Sequence, residues 1–488
     1  MSDHGGDELE ASTNAPGGSR TAPAPASRAA ALTGSAGAPG NDTAPPPATR
    51  AAGAAGPGGN GAVGARAARR AWPAPSQRLR SRVVRAERPL DLLDAAGEAG
   101  FVWCSDGCEL VGRGQAARVE LGTGRERLGQ AADRVAELLG AAAVDDPGGS
   151  GLGPVAVAAV PFDDRAPGQL TVPALLLRRG ADGTTWAVTT AAGHAPLPPD
   201  LDALAAAGDG DRPWPRIAAT RAPLGQQRAD WKAAVTAALR TIAGGRLDKV
   251  VLARELEVDT DRPFRRAAVL RRLRDQAAGA YLYASGAFLG ASPELLVARR
   301  GGIATSQPMA GTVPSGGTPA AAADRLAWLQ TSAKAAAEHG AVVDAVAEAL
   351  AKVSNDVDVT PAEVVRLPTV AHLATRVTAK LTEPLPSALE LAGLLHPTPA
   401  VAGVPRDLAL AVLGELEPFA RGAYAGPVGW VDAHGDGEWA VAIRCATLTR
   451  GGARLVAGAG IVAGSDPEAE WAETEWKLAA ILDVLRQG

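Results

Sequence analysis

Disulfides are the first thing this sequence does without: the three cysteines Cys104, Cys108 and Cys445 cannot staple a chain of 488 residues, so reduced thiols are expected. Cys104 and Cys108 could make half of a zinc site, but no second Cys/His pair stands near them, and a hairpin carrying two buried thiols is the plainer reading. An excess of one charge is missing too. With 49 basic against 53 acidic residues the formal net charge is -4, which removes field-driven binding to nucleic acid or to an anionic membrane surface and favours a small-molecule ligand. No apolar run approaches membrane-spanning length, and the acidic start at Met1, Ser2 and Asp3 lacks the regions of an export signal. A cytoplasmic protein with no membrane partner is the expectation. Neither a phosphate-binding Gly-x-x-x-x-Gly-Lys-Ser/Thr loop, nor a dinucleotide fingerprint after a strand, nor a His-Glu-x-x-His pair occurs, so kinases, dehydrogenases and zinc hydrolases lose their usual signatures.

What is present is enough apolar material, 46% of the chain, for a substantial core. It is unevenly placed. Residues 1–75 are Ala, Gly, Pro, Ser and Thr in the main, a composition that buries too little to offset its ordering entropy and is expected to be disordered. Residues 76–488 read as one large domain. Its first half, 80–225, alternates apolar runs such as Pro154-Val155-Ala156-Val157 with turns, around one amphipathic helix at 126–141, and reads as scaffold. In the second half, 229–486, helices are expected at 229–244, 264–276, 322–352, 386–394, 406–416 and 466–486, with strands at 248–257, 279–289, 294–299, 427–433, 438–448 and 453–459. Strands in sequential pairs with helices grouped between them predict an α+β fold: two antiparallel sheets with helices packed outside.

Several residues in this half could carry chemistry. Lys249 opens the apolar run Val250-Val251-Leu252-Ala253; alone it reads as an edge lysine reaching for water, but in a dry site its pKa would fall and a neutral amine could act as a base. Glu294 follows Ser292-Pro293 between apolar neighbours, where a carboxyl group either sits in a solvated turn or is held protonated as an acid. Helical spacing places Glu470, Glu473 and Lys477 on one face, either an exposed ion pair or a ligand-facing cluster flanked by Trp471 and Trp476. Glu338-His339 could add a further acid, and Gly458-Ala459-Gly460 would let a ligand approach the backbone closely, although a kink or bulge explains the glycines equally. Taken singly, none of these decides a function.

Together they resemble the chorismate-utilising enzymes, the family of isochorismate synthase, salicylate synthase, anthranilate synthase component I and aminodeoxychorismate synthase component I. The matching stretches run in the family's order: Lys249 to Arg254, Gly290 to Leu296, Met309-Ala310-Gly311-Thr312, Glu338-His339, Leu367 to Val370 with His372-Leu373, Leu395 to Ala400, Tyr424 to Trp430, Ala442-Ile443-Arg444, Gly458 to Val462, and Glu470 to Thr474 with Lys477. The resemblance implies chorismate as substrate, Mg²⁺ as cofactor, Lys249 as the base that activates water and Glu294 as the acid that protonates the departing hydroxyl. It implies Glu338 and Glu473 as ligands of the ion with Glu470 assisting, and Arg444, Lys477, Gly458 and Gly460 as holders of the substrate carboxylates. Gly311, Thr312, Ala400 and Tyr424 would line the pocket. Lysine at position 249 is similar to the water-adding members, since water needs a base more than ammonia does, and isochorismate synthase is the expected activity. Salicylate synthase, with pyruvate elimination as a second step, is the runner-up, and a catalytically silent binding paralogue is the non-enzymatic alternative. Ala335-Ala336-Ala337, Ala371 and Val456 depart from the family's pattern, and the last is expected to bear on pocket shape. A monomer is expected.

Overall fold

The computed structural model describes residues 78–198, 213–367 and 369–486. The expected disorder of 1–75 lies outside the described residues. The rest is an α+β arrangement built on two large sheets, of 13 and 9 strands, and a small one of 3. The 3-stranded sheet, formed by Met309–Pro314, Val370–Ala374 and Glu363–Arg366, was not foreseen from the sequence, and neither was the single parallel pairing, Leu79–Arg85 with Ala143–Asp145.

The largest sheet is organised by one long ladder. Lys249–Thr260 pairs with Gly452–Val462 without a break, from Lys249 opposite Val462 to Asp259 opposite Gly452. The chain then passes between the two large sheets twice. Phe288–Ser292 belongs to the 13-stranded sheet and Leu295–Arg300 to the 9-stranded one, with only Pro293 and Glu294 between them. Proline cannot donate to a ladder, so the strand must end there. Gly437–Val441 and Cys445–Thr449 return across the same junction through Ala442, Ile443 and Arg444, the last at φ 53, a left-handed conformation that non-glycine residues adopt only when neighbours enforce it. The enforcement is visible: the Arg444 carbonyl accepts from Ala291 N, the Ile443 carbonyl accepts from Tyr283 Oη at 2.9 Å, and a side chain at Gly290 would strike both Tyr283 Oη and the Arg444 carbonyl.

Helices cover these sheets as their apolar faces require. Arg127–Gly140 buries Leu128, Ala131, Ala132, Val135, Leu138 and Leu139, a three-and-four spacing that faces one side. The C-terminal helix Pro467–Arg486 packs on Gly452–Val462 and buries Leu478, Ile481, Leu482 and Leu485 further along the face that carries Glu470 and Thr474. Buried Arg254 fixes it in place, donating to Thr474 Oγ1 at 2.7 Å, pairing with Glu475, and stacking on the Trp471 ring at 3.6 Å.

Four expectations need correction. The single helix at 322–352 is two, Pro319–Thr331 and Ala333–Ala351, because Ser332 leaves the helical conformation and caps the second by accepting from Ala335 N. The strand at 279–289 is a hairpin, Tyr281–Ser285 and Phe288–Ser292, turned at Gly286 with φ 56. The strand at 438–448 is the pair divided at Arg444. Ile303–Gln307, Ser354–Val359 and Val377–Leu381, along with the small sheet's three strands, were not expected as strands at all. Cys104 and Cys108 do share a hairpin as free thiols, Cys108 buried and Cys104 partly so. Among the described residues no helix is long and apolar enough to cross a membrane.

Candidate active site

The junction between the sheets holds a cavity of about 150 Å³, and all thirteen residues singled out from the sequence line it: Lys249, Glu294, Gly311, Thr312, Glu338, Ala400, Tyr424, Arg444, Gly458, Gly460, Glu470, Glu473 and Lys477. Each arrives on a different support. The two crossings deliver Glu294 and Arg444, the long ladder delivers Lys249 opposite Gly458 and Gly460, Ala333–Ala351 carries Glu338, and the C-terminal helix carries Glu470, Glu473 and Lys477.

Glu294 is 3% exposed, and burial, which disfavours the carboxylate, pushes its pKa up to about 7 despite the opposing charges of Arg444, Lys249 and Lys477. The solvated-turn reading therefore fails. Lys249 moves the other way: burial lowers its pKa, against the attraction of Glu338, Glu473 and Glu294, so the edge-lysine reading fails with it. The two glycines have a more specific use than a loose backbone approach. A side chain at Gly460 would come within 3.0 Å of Lys249 Cε and 3.6 Å of Nζ, so the glycine makes room for the amine. At Gly458 a side chain would meet Tyr424 Oη at 3.1 Å and the Leu252 carbonyl at 2.7 Å. The Gly458 carbonyl accepts from Lys477 Nζ at 2.8 Å, and the same ammonium donates to Glu473 Oε1 at 2.6 Å. The ion pair expected on this helix thus exists, but it faces the cavity rather than bulk solvent, its side chains 14% and 22% exposed.

One residue of the resemblance acquires a role that the sequence did not assign. His372 is buried and its pKa is driven well below the ordinary histidine value by burial and by the charges of Arg444 and Lys477, so the ring is neutral. A guanidinium only donates, so Arg444 Nη2, at 3.0 Å from His372 Nε2, requires a lone pair there. The proton is consequently on Nδ1, which donates to the Gly311 carbonyl at 3.1 Å, with Thr312 Oγ1 also within 3.2 Å. Gly311 itself has φ 69, which presents that carbonyl to the ring. Trp328, from the helix before Ser332, closes another side; nothing in its sequence context signalled this. Of the departures from the family's pattern, Ala335 lines the cavity and Val456 does not.

Could the carboxylates hold a metal? Glu338, Glu470 and Glu473 offer oxygen donors only, the chemistry that suits Mg²⁺ or Ca²⁺ rather than a soft ion. Among the described residues no three His, Cys, Asp or Glu side chains come together as a ready-made cage. The donor set therefore fits an ion that completes its shell with ligand oxygens and water, as Mg²⁺ does.

A buried acid, a desolvated amine, an anchored guanidinium and a carboxylate group on one small cavity define an acid/base enzyme pocket for a small anionic molecule. The chain belongs to the chorismate binding enzyme family, whose sequence model matches residues 84–486. It is 41% identical over 268 residues to isochorismate synthase DhbC of Bacillus subtilis, spanning 52% of this chain and 67% of that protein. Its fold is similar to that of MenF, the menaquinone-specific isochorismate synthase of Escherichia coli, with a TM-score of 0.70 at 29% identity over 85% of this chain and 95% of that one. Anthranilate synthase component I from Streptococcus pneumoniae shares the fold alone, with a TM-score of 0.59 at 22% identity over 77% of this chain and 92% of that one.

Proposed function

We propose that this protein is an isochorismate synthase, which isomerises chorismate by adding water at C2 of the ring and releasing the C4 hydroxyl. The observation that carries this reading is that Lys249 and Glu294 face one cavity with pKa values displaced in opposite directions, downward for the amine and upward for the acid. Attack by water requires a base that starts neutral, and departure of hydroxide requires an acid that starts protonated. The Lys249 amine takes a proton from the attacking water as its oxygen bonds to C2. The double bond shifts, the C4–O bond breaks, and Glu294 gives its proton to the leaving oxygen, which departs as water. Arg444, held by His372, and Lys477 bind carboxylates of the substrate. Glu338 and Glu473, with Glu470, would hold Mg²⁺, which when bound supplies positive charge to the ring carboxylate. The relatives named isochorismate synthase support the same assignment.

The test is product analysis by chromatography after incubation with chorismate, with and without Mg²⁺. Isochorismate formed only with the ion is the expected result. Salicylate and pyruvate as the main products would replace this reading with the two-step one, and no turnover at saturating Mg²⁺ would leave only a binding role.

A further inference from the structure

A second cavity, of about 730 Å³, lies between the helix Arg127–Gly140 and the segment that runs from Gly393 through the helix Arg406–Leu416 to Gly422. Its walls are of two kinds. Leu128, Phe162, Leu410, Leu413 and Phe419 give it an apolar side, and five arginines give it a cationic one.

The arginines do not all need a ligand. Arg421 is paired with Glu417, through Nε at 2.8 Å and Nη2 at 2.5 Å, and Arg165 with Asp163 at 2.9 Å. Arg127 spends its donors on the carbonyls of Pro161, Asp163 and Ala166. Arg125 and Arg406 remain. Among the described residues neither forms an ion pair or a side-chain hydrogen bond, and Arg406 Nε is buried with no partner. Their charges act on each other unfavourably, and Asp164 is the one lining carboxylate not already taken up. Two guanidiniums held together over an apolar wall, one with a stranded donor, are an incomplete arrangement that a carboxylate completes, since its two oxygens match the guanidinium fork.

We propose that this cavity is a second ligand site, which takes a small aromatic carboxylate with its charged group between Arg125 and Arg406 and its ring against Phe162 and Phe419. A sugar phosphate would satisfy the arginines but leave its hydroxyls unpaired against the leucines and phenylalanines. The site is separate from the catalytic cavity, yet adjoins it: Arg421 lines the second cavity, while its guanidinium donates to the carbonyls of Val251 and Val401, which line the first.

Calorimetric titration of the full chain with naphthoate tests this. Saturable binding is expected, weakened about tenfold or more in Arg125→Gln and in Arg406→Gln, and by a similar factor when naphthamide replaces the acid, because each change removes one charge-assisted contact. Arg125 is exposed, so its replacement leaves the fold intact. Arg444→Gln should leave naphthoate binding unchanged. Absence of saturable binding, or equal affinity in both arginine variants and the parent, overturns the proposal. So does binding that Arg444→Gln abolishes and Arg125→Gln spares, which would place the naphthoate in the catalytic cavity.

Discussion

Glu294 and Lys249 owe their opposite displacements to one cause, the removal of water from a pocket that contains both. The pH profile follows from the sign of each shift. Glu294 must be protonated to act, so kcat/KM should fall as pH rises through about 7, and Glu294→Gln should remove that limb along with the activity. The same shift affects stability. A carboxyl raised from 4.5 to about 7 on folding binds its proton more tightly in the folded state, so the stability it contributes is lost as pH rises across that interval; thermal melts of the parent and Glu294→Gln should diverge there. At His372 the expected effect is on binding: His372→Ala frees Arg444 and should raise KM for chorismate about tenfold with a smaller change in kcat, because a group acting through a carboxylate contact works in ground state and transition state alike. An equal fall in kcat with KM unchanged would contradict that role.

At the scale of elements, Gly460 shows how the ladder serves the amine. Gly460→Ala places a methyl 3.0 Å from Lys249 Cε, and since a lysine side chain can yield, the fold should survive while turnover falls about tenfold or more; circular dichroism and steady-state kinetics separate the two effects. How much of this was legible beforehand varied with the element. Long amphipathic helices such as Arg406–Leu416 and the apolar ladder strand at Lys249 carry their period in their side chains, and their positions were read closely. Ser354–Val359 and Ile303–Gln307 are polar edge or junction strands whose pairing is dictated by partners distant in sequence, and no local pattern marks them. Site residues were legible because the family resemblance supplied their order. Their assembly was not: the helical spacing at Glu473 and Lys477 foretold the ion pair, but only the packing of Arg254 on Trp471 turns that pair toward the cavity. Trp328 could not be found at all from its neighbours.

For the whole molecule, the pocket exists because two sheets share strands that cross between them, so the catalytic groups are tied to a continuous core rather than to separate loops. The family match begins at residue 84, and the composition of the segment before residue 75 offers little apolar surface, so a chain starting at residue 76 should keep the turnover and melting temperature of the full one. A large loss of either would assign that segment a structural part. The central claim is that water is activated by the Lys249 amine. Its most direct measurement is single-turnover conversion of chorismate by Lys249→Gln at saturating Mg²⁺, with substrate affinity measured alongside. The account predicts a rate lowered by about 10²- to 10⁴-fold, the usual effect of one positioned proton-transfer group, with affinity retained. Isochorismate formation by that variant at the parent's rate would contradict it.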